Sequence, residues 1–299
     1  MVTPVRHLLA PALKGPRNLV RQWQGKRRAL PDFLIIGAQK SGTSSLYRYL
    51  AQHPQIRASD PKEVHYFDGG LDAGIDSYAR GEGWYRSHFP LLSDVAPGQK
   101  VFEASPLYLL HPLAPERIAA VVPHAKLIAV LRNPVDRALS HYFHNVRNND
   151  LRKNREELPP REAMAAEEAR LAGPIARGDY RDEAYRAFSY KARGRYLEQI
   201  ERYWAHFPRE NLLALRAEDL FANPAGTVRR VFDFLELDTA PGNNIDYRPQ
   251  NVGRNSAIAS VDPLALADLE AHFAPLNQAL GAALGEDFGW DAPSFAKAG

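Results

Sequence analysis

Two glycines five residues apart, Gly37 and Gly42, enclose a lysine, Lys40, and the hydroxyls of Ser41, Thr43, Ser44 and Ser45 crowd the same stretch. Successive backbone N–H groups of a loop entering a helix, with the positive end of the helix dipole behind them, attract an anion whatever its kind. Phosphate binding across residues 40–45 is therefore the chemistry on offer. In the triphosphate loop G-x-x-x-x-G-K-[ST], a lysine after the second glycine reaches the β and γ phosphates and the next hydroxyl holds Mg²⁺. Here Thr43 fills the lysine slot and the lysine stands three places earlier. From the leading edge of the loop, Lys40 can meet an oxygen that bridges a nucleotide 5′-phosphate to a transferable group. A tight strand-to-helix turn carrying a solvated lysine would use the same two glycines.

A second anion-binding pair is Arg132 and Ser140 in L-R-N-P-V-D-R-A-L-S-H-Y, residues 131–142. Arg132 presents five N–H donors in a fixed fork suited to phosphate, Pro134 opens a helix, and Ser140 lies about two turns along it. An ordinary helix start, with Arg132 paired to Asp136, accounts for the same residues.

Both motifs need strands behind them and helices after them. The run Phe33 to Ile36 precedes the first loop, and K-L-I-A-V-L at 126–131 precedes Arg132. Further strands are expected at residues 100–104 and 211–216. Helices are expected to begin at Ser44, which Pro54 ends, and to cover 115–122, 135–146, 195–207, 224–237 (capped by Asn223) and 263–284. Buried apolar runs alternating with helices imply a parallel sheet covered on both faces. The fold class is α/β: a P-loop-type three-layer fold with a central parallel sheet flanked by helices. Arg132 then leaves the carboxyl end of its strand, where open α/β sheets bind ligands. Residues 147–193 are highly charged and read as a helical insertion with a solvated face. Its basic residues Arg152, Lys153, Arg155, Arg177, Arg181, Arg186, Lys191 and Arg193 offer the alternative of a cleft for an acidic glycan.

The segment F-L-I-I-G-A-Q-K-S-G-T-S-S-L resembles the 5′-phosphosulfate loop of sulfotransferases that use 3′-phosphoadenosine-5′-phosphosulfate (PAPS). More narrowly it is similar to the branch containing heparan sulfate N- and 3-O-sulfotransferases and their bacterial relatives. The resemblance implies PAPS as co-substrate, leaving as adenosine 3′,5′-bisphosphate, and no metal. It assigns the 5′ side to Lys40, Ser41, Gly42, Thr43, Ser44 and Ser45, and the 3′-phosphate to Arg132 and Ser140. N-V-G-R-N-S at 251–256 resembles the family's K-G-R element and adds Gly253, Arg254 and Asn255, with Val252 in place of the usual lysine. K-E-V-H-Y-F-D at 62–68 is similar to the segment in which relatives place a catalytic glutamate, which falls on Glu63. A carboxylate with a pKa of about 4.3 must accept its proton as the S–O bond forms. His65, two residues on, is the competing base. Where animal relatives carry a second lysine, this chain reads F-E-A-S-P at 102–106. Ala104 removes that charge, Lys40 and Lys62 inherit its task or the acceptor is less anionic, and Glu103 is left as a candidate substrate contact.

Composition sets the outer limits. The 299 residues, 45% hydrophobic and 24% charged, can bury one large core, so residues 31–299 are read as a single domain with the insertion at about 147–193. The absence of cysteine excludes disulfides and thiolate metal sites and points to the cytoplasm. No run is long enough to span a bilayer. Residues 1–30 carry seven basic residues and no acid, reading as a basic, solvated arm with peripheral contact to anionic lipid as an alternative. No nucleic-acid-binding motif is present. The acceptor expected is a small molecule or glycan bearing a hydroxyl or amine, with the oligomeric state open. A non-catalytic carbohydrate-binding relative and a nucleotide kinase or ATPase are the rivals.

Overall fold

The computed structural model describes residues 16–72, 74–147, 155–249 and 261–290. Five strands, β1 (Phe33–Gly37), β2 (Ile56–Ala58), β3 (Lys100–Ala104), β4 (Lys126–Leu131) and β5 (Leu212–Arg216), form one sheet in the order β2-β3-β1-β4-β5. Every neighbouring pair is parallel. β2 is an addition to the four strands expected from the sequence; three residues carry too little alternation to reveal a strand.

Because side chains alternate along a strand, β1 feeds two cores. Phe33 and Ile35 pack with Leu46, Tyr49 and Leu50 of helix α2 (Thr43–Leu50) and with Val228, Val231 and Phe232. Leu34 and Ile36 point to the opposite face, toward Ile118, Tyr196, Ile200 and Tyr203. Helices α4 (Ala114–Val121), α5 (Pro134–Arg147), α9 (Tyr196–Trp204), α11 (Pro224–Leu235) and α12 (Pro263–Leu284) follow the expected positions closely, and α3 (Glu82–Arg86) and α10 (Ala217–Ala222) are further short helices. Asn223 caps α11, its Oδ1 accepting from Gly226 N–H at 3.0 Å.

The charged segment differs from a solvated surface. Its helices α6 (Pro160–Ala165), α7 (Glu167–Ala176) and α8 (Glu183–Phe188) bury Glu156, Glu167 and Arg193. Glu156 accepts from Arg170 at 2.6 Å and from the Tyr190 hydroxyl at 2.8 Å, and Glu167 takes the N–H groups of Lys191 and Ala192. Met164 and Tyr190 join α5 and α12 in a third apolar cluster. Buried charges that are fully hydrogen-bonded anchor an element. The basic segment is likewise not free throughout. Helix α1 (Pro16–Trp23) lies against α3, Arg21 pairs with Asp60 at 3.7 Å, and buried Arg28 donates to Phe89 O at 2.6 Å.

Candidate functional site

The chain leaves central β1 for the β2 edge, returns through β3 and then crosses to β4 on the other side. Such a reversal opens a crevice at the carboxyl ends of the strands. The Lys40 loop leaves β1 there and Arg132 leaves β4. The Glu63 segment is tied to the end of β3, with Glu63 N–H donating to Ala104 O at 3.1 Å.

Among the described residues, four that are not glycine have a left-handed backbone: Lys40 (φ 72°), Glu63 (64°), His65 (53°) and Glu236 (58°). Glu236 closes α11; the other three are the residues assigned to chemistry. That conformation costs about 1–2 kcal/mol per residue and persists where surrounding contacts over-determine it, characteristically at functional sites.

Around Lys40 the loop is shaped for an anion. Burial, then the positive charges of Arg147, Arg132 and Arg137, bring its ammonium down to about 8. The hydroxyl of Ser41 is buried without a hydrogen-bond partner, an orphan that an anion's oxygens would satisfy. Lys40 itself is half-buried, unlike a solvated lysine on a bare turn. Gly37 and Gly42 let neighbouring side chains close on the loop: a Cβ at Gly37 would lie 2.5 Å from the Leu109 side chain, and one at Gly42 (φ 89°) 2.7 Å from the Phe221 ring. Gly42 precedes α2, in which Thr43, Ser44 and Ser45 form the first turn with their N–H groups at the loop. Arg132 joins the two motifs, its Nη1 donating to Lys40 O at 3.3 Å, and half-buried Ser140 follows along α5. Phe221 of α10 is 51% exposed beside Gly42 and has the Arg132 guanidinium 6.0 Å from its ring. Nothing in A-E-D-L-F-A singles it out as a site residue. Gly253, Arg254 and Asn255 lie outside the described residues.

At the other wall, His65 donates or shares protons with two carboxylates, Asp68 Oδ2 at 2.6 Å from Nδ1 and Glu63 Oε2 at 3.3 Å from Nε2. Burial disfavours its charge, yet the Asp68 charge and hydrogen bond, followed by Glu63, raise its pKa to about 10. Held in its cationic form between two carboxylates, the imidazole is less suited to take a substrate proton than the carboxylate beside it. Glu63 responds in the opposite sense. Burial pushes it up, but the hydrogen bond from His65, the charges of Lys62 and His65, and contact with the Lys62 ammonium bring it down to about 2. Its side chain keeps 40% of its surface open, so the ionised carboxylate is reachable from the crevice. Asp68, fully buried, was not legible as a site residue: its i+3 relation to His65 becomes meaningful once the segment turns back on itself.

Glu103 is not a substrate contact. It is completely buried in β3, accepting from the hydroxyls of Tyr85 (2.6 Å), Ser105 (2.8 Å) and Tyr108 (3.0 Å). Burial pushes its carboxyl up to about 7 against those three bonds. Its role is foundation: Ser105 Oγ accepts from His65 N–H at 3.1 Å, and Tyr108 OH accepts from Tyr66 N–H at 2.9 Å. The Glu63 segment is bolted to the sheet end through this network.

A family model described as the sulfotransferase domain matches residues 30–251. The chain is 32% identical over 298 residues to heparan sulfate glucosamine 3-O-sulfotransferase 6 of Mus musculus, spanning 93% of this chain and 79% of that protein. It is 35% identical over 211 residues to bifunctional heparan sulfate N-deacetylase/N-sulfotransferase 3 of Homo sapiens, spanning 69% of this chain and 22% of that one. A crystal structure of a sulfotransferase from Alicyclobacillus acidocaldarius is 35% identical and superposes with a TM-score of 0.68, over 88% of this chain and all of the other.

Proposed function

The chain belongs to the sulfotransferase domain family and is a sulfotransferase enzyme, and from that premise we propose that it moves a sulfuryl group from PAPS to a carbohydrate hydroxyl or amine, with Glu63 as base. The observation that carries this reading is the convergence of left-handed Lys40 and Glu63 at the ends of adjacent strands, one a desolvated cation and the other an ionised carboxylate.

The orphan Ser41 hydroxyl and the cation group around Lys40 fit a phosphosulfate. Residues 40–45 would hold its 5′ side and Arg132 with Ser140 its 3′-phosphate. When bound, PAPS supplies an activated sulfuryl group and a leaving bisphosphate. Lys40 and the N–H groups opening α2 stabilise charge on the bridging oxygen. Glu63, far too acidic to deprotonate an alcohol in advance, accepts the proton as the new S–O bond forms and the alcohol becomes acidic. His65 and Asp68 orient that carboxylate, and Lys62 stands beside it where Ala104 leaves β3 without a charge. The relatives named for heparan sulfate support a glycan acceptor; they include both an O- and an N-sulfotransferase.

Labelled PAPS offered to a panel of acceptors tests the activity. Glu63→Gln is expected to lose about 10²–10⁴-fold in kcat with adenosine 3′,5′-bisphosphate binding retained; full activity in that variant would sink the assignment of the base. Tight binding of ATP·Mg²⁺ with none of the bisphosphate would instead favour a nucleotide kinase.

A further inference from the structure

We propose that Arg193 and Arg186, both in the charged segment, are positioning residues that tie the Lys40 loop to the Glu63–Asp68 loop and so hold the two sides of the site at a set separation. The inference rests on the sulfuryl-transfer reading for its consequence, and on hydrogen bonds for its existence.

Arg193 is 2% exposed and spends each guanidinium nitrogen on a different neighbour. Nη1 donates to Oε1 of Gln39, the residue before Lys40; Nε donates to Ser189 Oγ at 2.8 Å; Nη2 donates to Arg186 O at 2.5 Å. None of these acceptors is a carboxylate. A buried guanidinium with no carboxylate hydrogen-bonded to it is costly, and burial followed by the Arg137 charge pulls its pKa to about 9. Arg186, whose carbonyl Arg193 grips, sends Nη2 to the carbonyls of Asp68 (3.1 Å) and Gly70. One short stretch, α8 and the turn Ala192–Gly194, therefore reaches the loop after β1 with one arginine and the loop bearing His65 and Asp68 with the other. The stretch is itself anchored. A Cβ at Gly194 would lie 2.7 Å from the Phe273 ring and 2.9 Å from Pro134, so the turn is wedged between α12 and the start of α5, just after Arg132. Three pieces of the site, from β1, β4 and the base loop, share this one support.

In-line transfer is sensitive to displacements of about 1 Å between reacting groups. Lys40 and Glu63 sit on separate loops, each in a strained backbone conformation, and a rigid cross-connection keeps that strain from relaxing into misalignment.

Amide hydrogen exchange on the full, ligand-free chain tests the brace. Gln39→Ala removes the Arg193 contact while leaving the arginine in place, and is expected to speed exchange about tenfold at residues 65–70 as well as at 37–42, the effect of losing one hydrogen bond to a charged group. Faster exchange confined to 37–42 would overturn the proposal, because a merely local role does not reach the base loop. Arg193→Met should give the same pattern; if it does not fold, Gln39→Ala still decides. In turnover, Gln39→Ala should lower kcat about tenfold with little change in KM for PAPS, and an unchanged kcat also counts against the brace. The two readings fail separately: an unmodified chain that binds no adenosine 3′,5′-bisphosphate overturns the nucleotide assignment, whereas the brace stands or falls on residues 65–70.

Discussion

Lys40 carries a titration that reaches into the working pH range. Its ammonium is brought to about 8 by burial and then by Arg147, Arg132 and Arg137, and on the proposed reading its charge attracts the phosphosulfate. The folded-state value is depressed, so the cation is present below pH 8 and lost as pH rises through it. We expect kcat/KM for PAPS to fall toward tenfold per unit above about pH 8, the limb of a single group, and Lys40→Arg to move that limb out of range. Glu63, at about 2, adds no acid limb from pH 5 to 8. A pH–rate profile of both proteins checks the pair of statements; a limb unmoved in Lys40→Arg would show that another group controls it. Lys40, Arg132 and Ser140 were legible because each stands at a fixed offset from a strand or helix signal, and Glu63 through the likeness of its segment K-E-V-H-Y-F-D to a known family. The charge on His65 was not, since it is set by Asp68 and by burial that no linear pattern records.

On the proposed reading, nucleotide capture depends on the strand, loop and helix around Gly37 and Gly42. Gly42→Ala would place a methyl group 2.7 Å from the Phe221 ring and force a left-handed backbone on alanine. The expected result is a loss of about 1–2 kcal/mol in stability and adenosine 3′,5′-bisphosphate binding weaker by about tenfold or more, because the N–H groups that face the anion shift with the loop. Denaturant titration and calorimetric binding measure the two effects, and wild-type affinity in Gly42→Ala would mean that this loop does not hold the ligand. Strands β1, β3 and β4 and helices α11 and α12 were readable at this scale, being apolar runs or periodic segments bounded by proline, glycine and a cap. Strand β2 is too short to announce itself. The segment 155–193 misled for a different reason: charge density reads as exposure until Glu156 is seen against Arg170, and Glu167 against the N–H groups of residues 191 and 192.

For the molecule as a whole, the site joins loops from β1 and β4 to the base loop tied to β3, so a ligand gripping both phosphate motifs should stabilise the entire fold. With adenosine 3′,5′-bisphosphate at about one hundred times its Kd, stabilisation of about 2.7 kcal/mol is expected, visible as a rise in Tm that ATP·Mg²⁺ does not reproduce. An equal rise with ATP·Mg²⁺ would count against the bisphosphate as the preferred ligand. The sequence by itself determined the α/β class and marked two candidate anion-binding motifs, because those depend on local spacing: apolar runs, glycines, and a lysine displaced by three positions; the candidate base came from the resemblance of residues 62–68 to a known family. Only the tertiary structure decided which charges are buried, that His65 lies between the carboxylates of Asp68 and Glu63, that Glu103 is foundation rather than contact, and that Arg193 reaches Gln39 across 154 residues of chain. Burial and long-range pairing are properties of where segments meet, and the order of the parallel sheet settles that meeting.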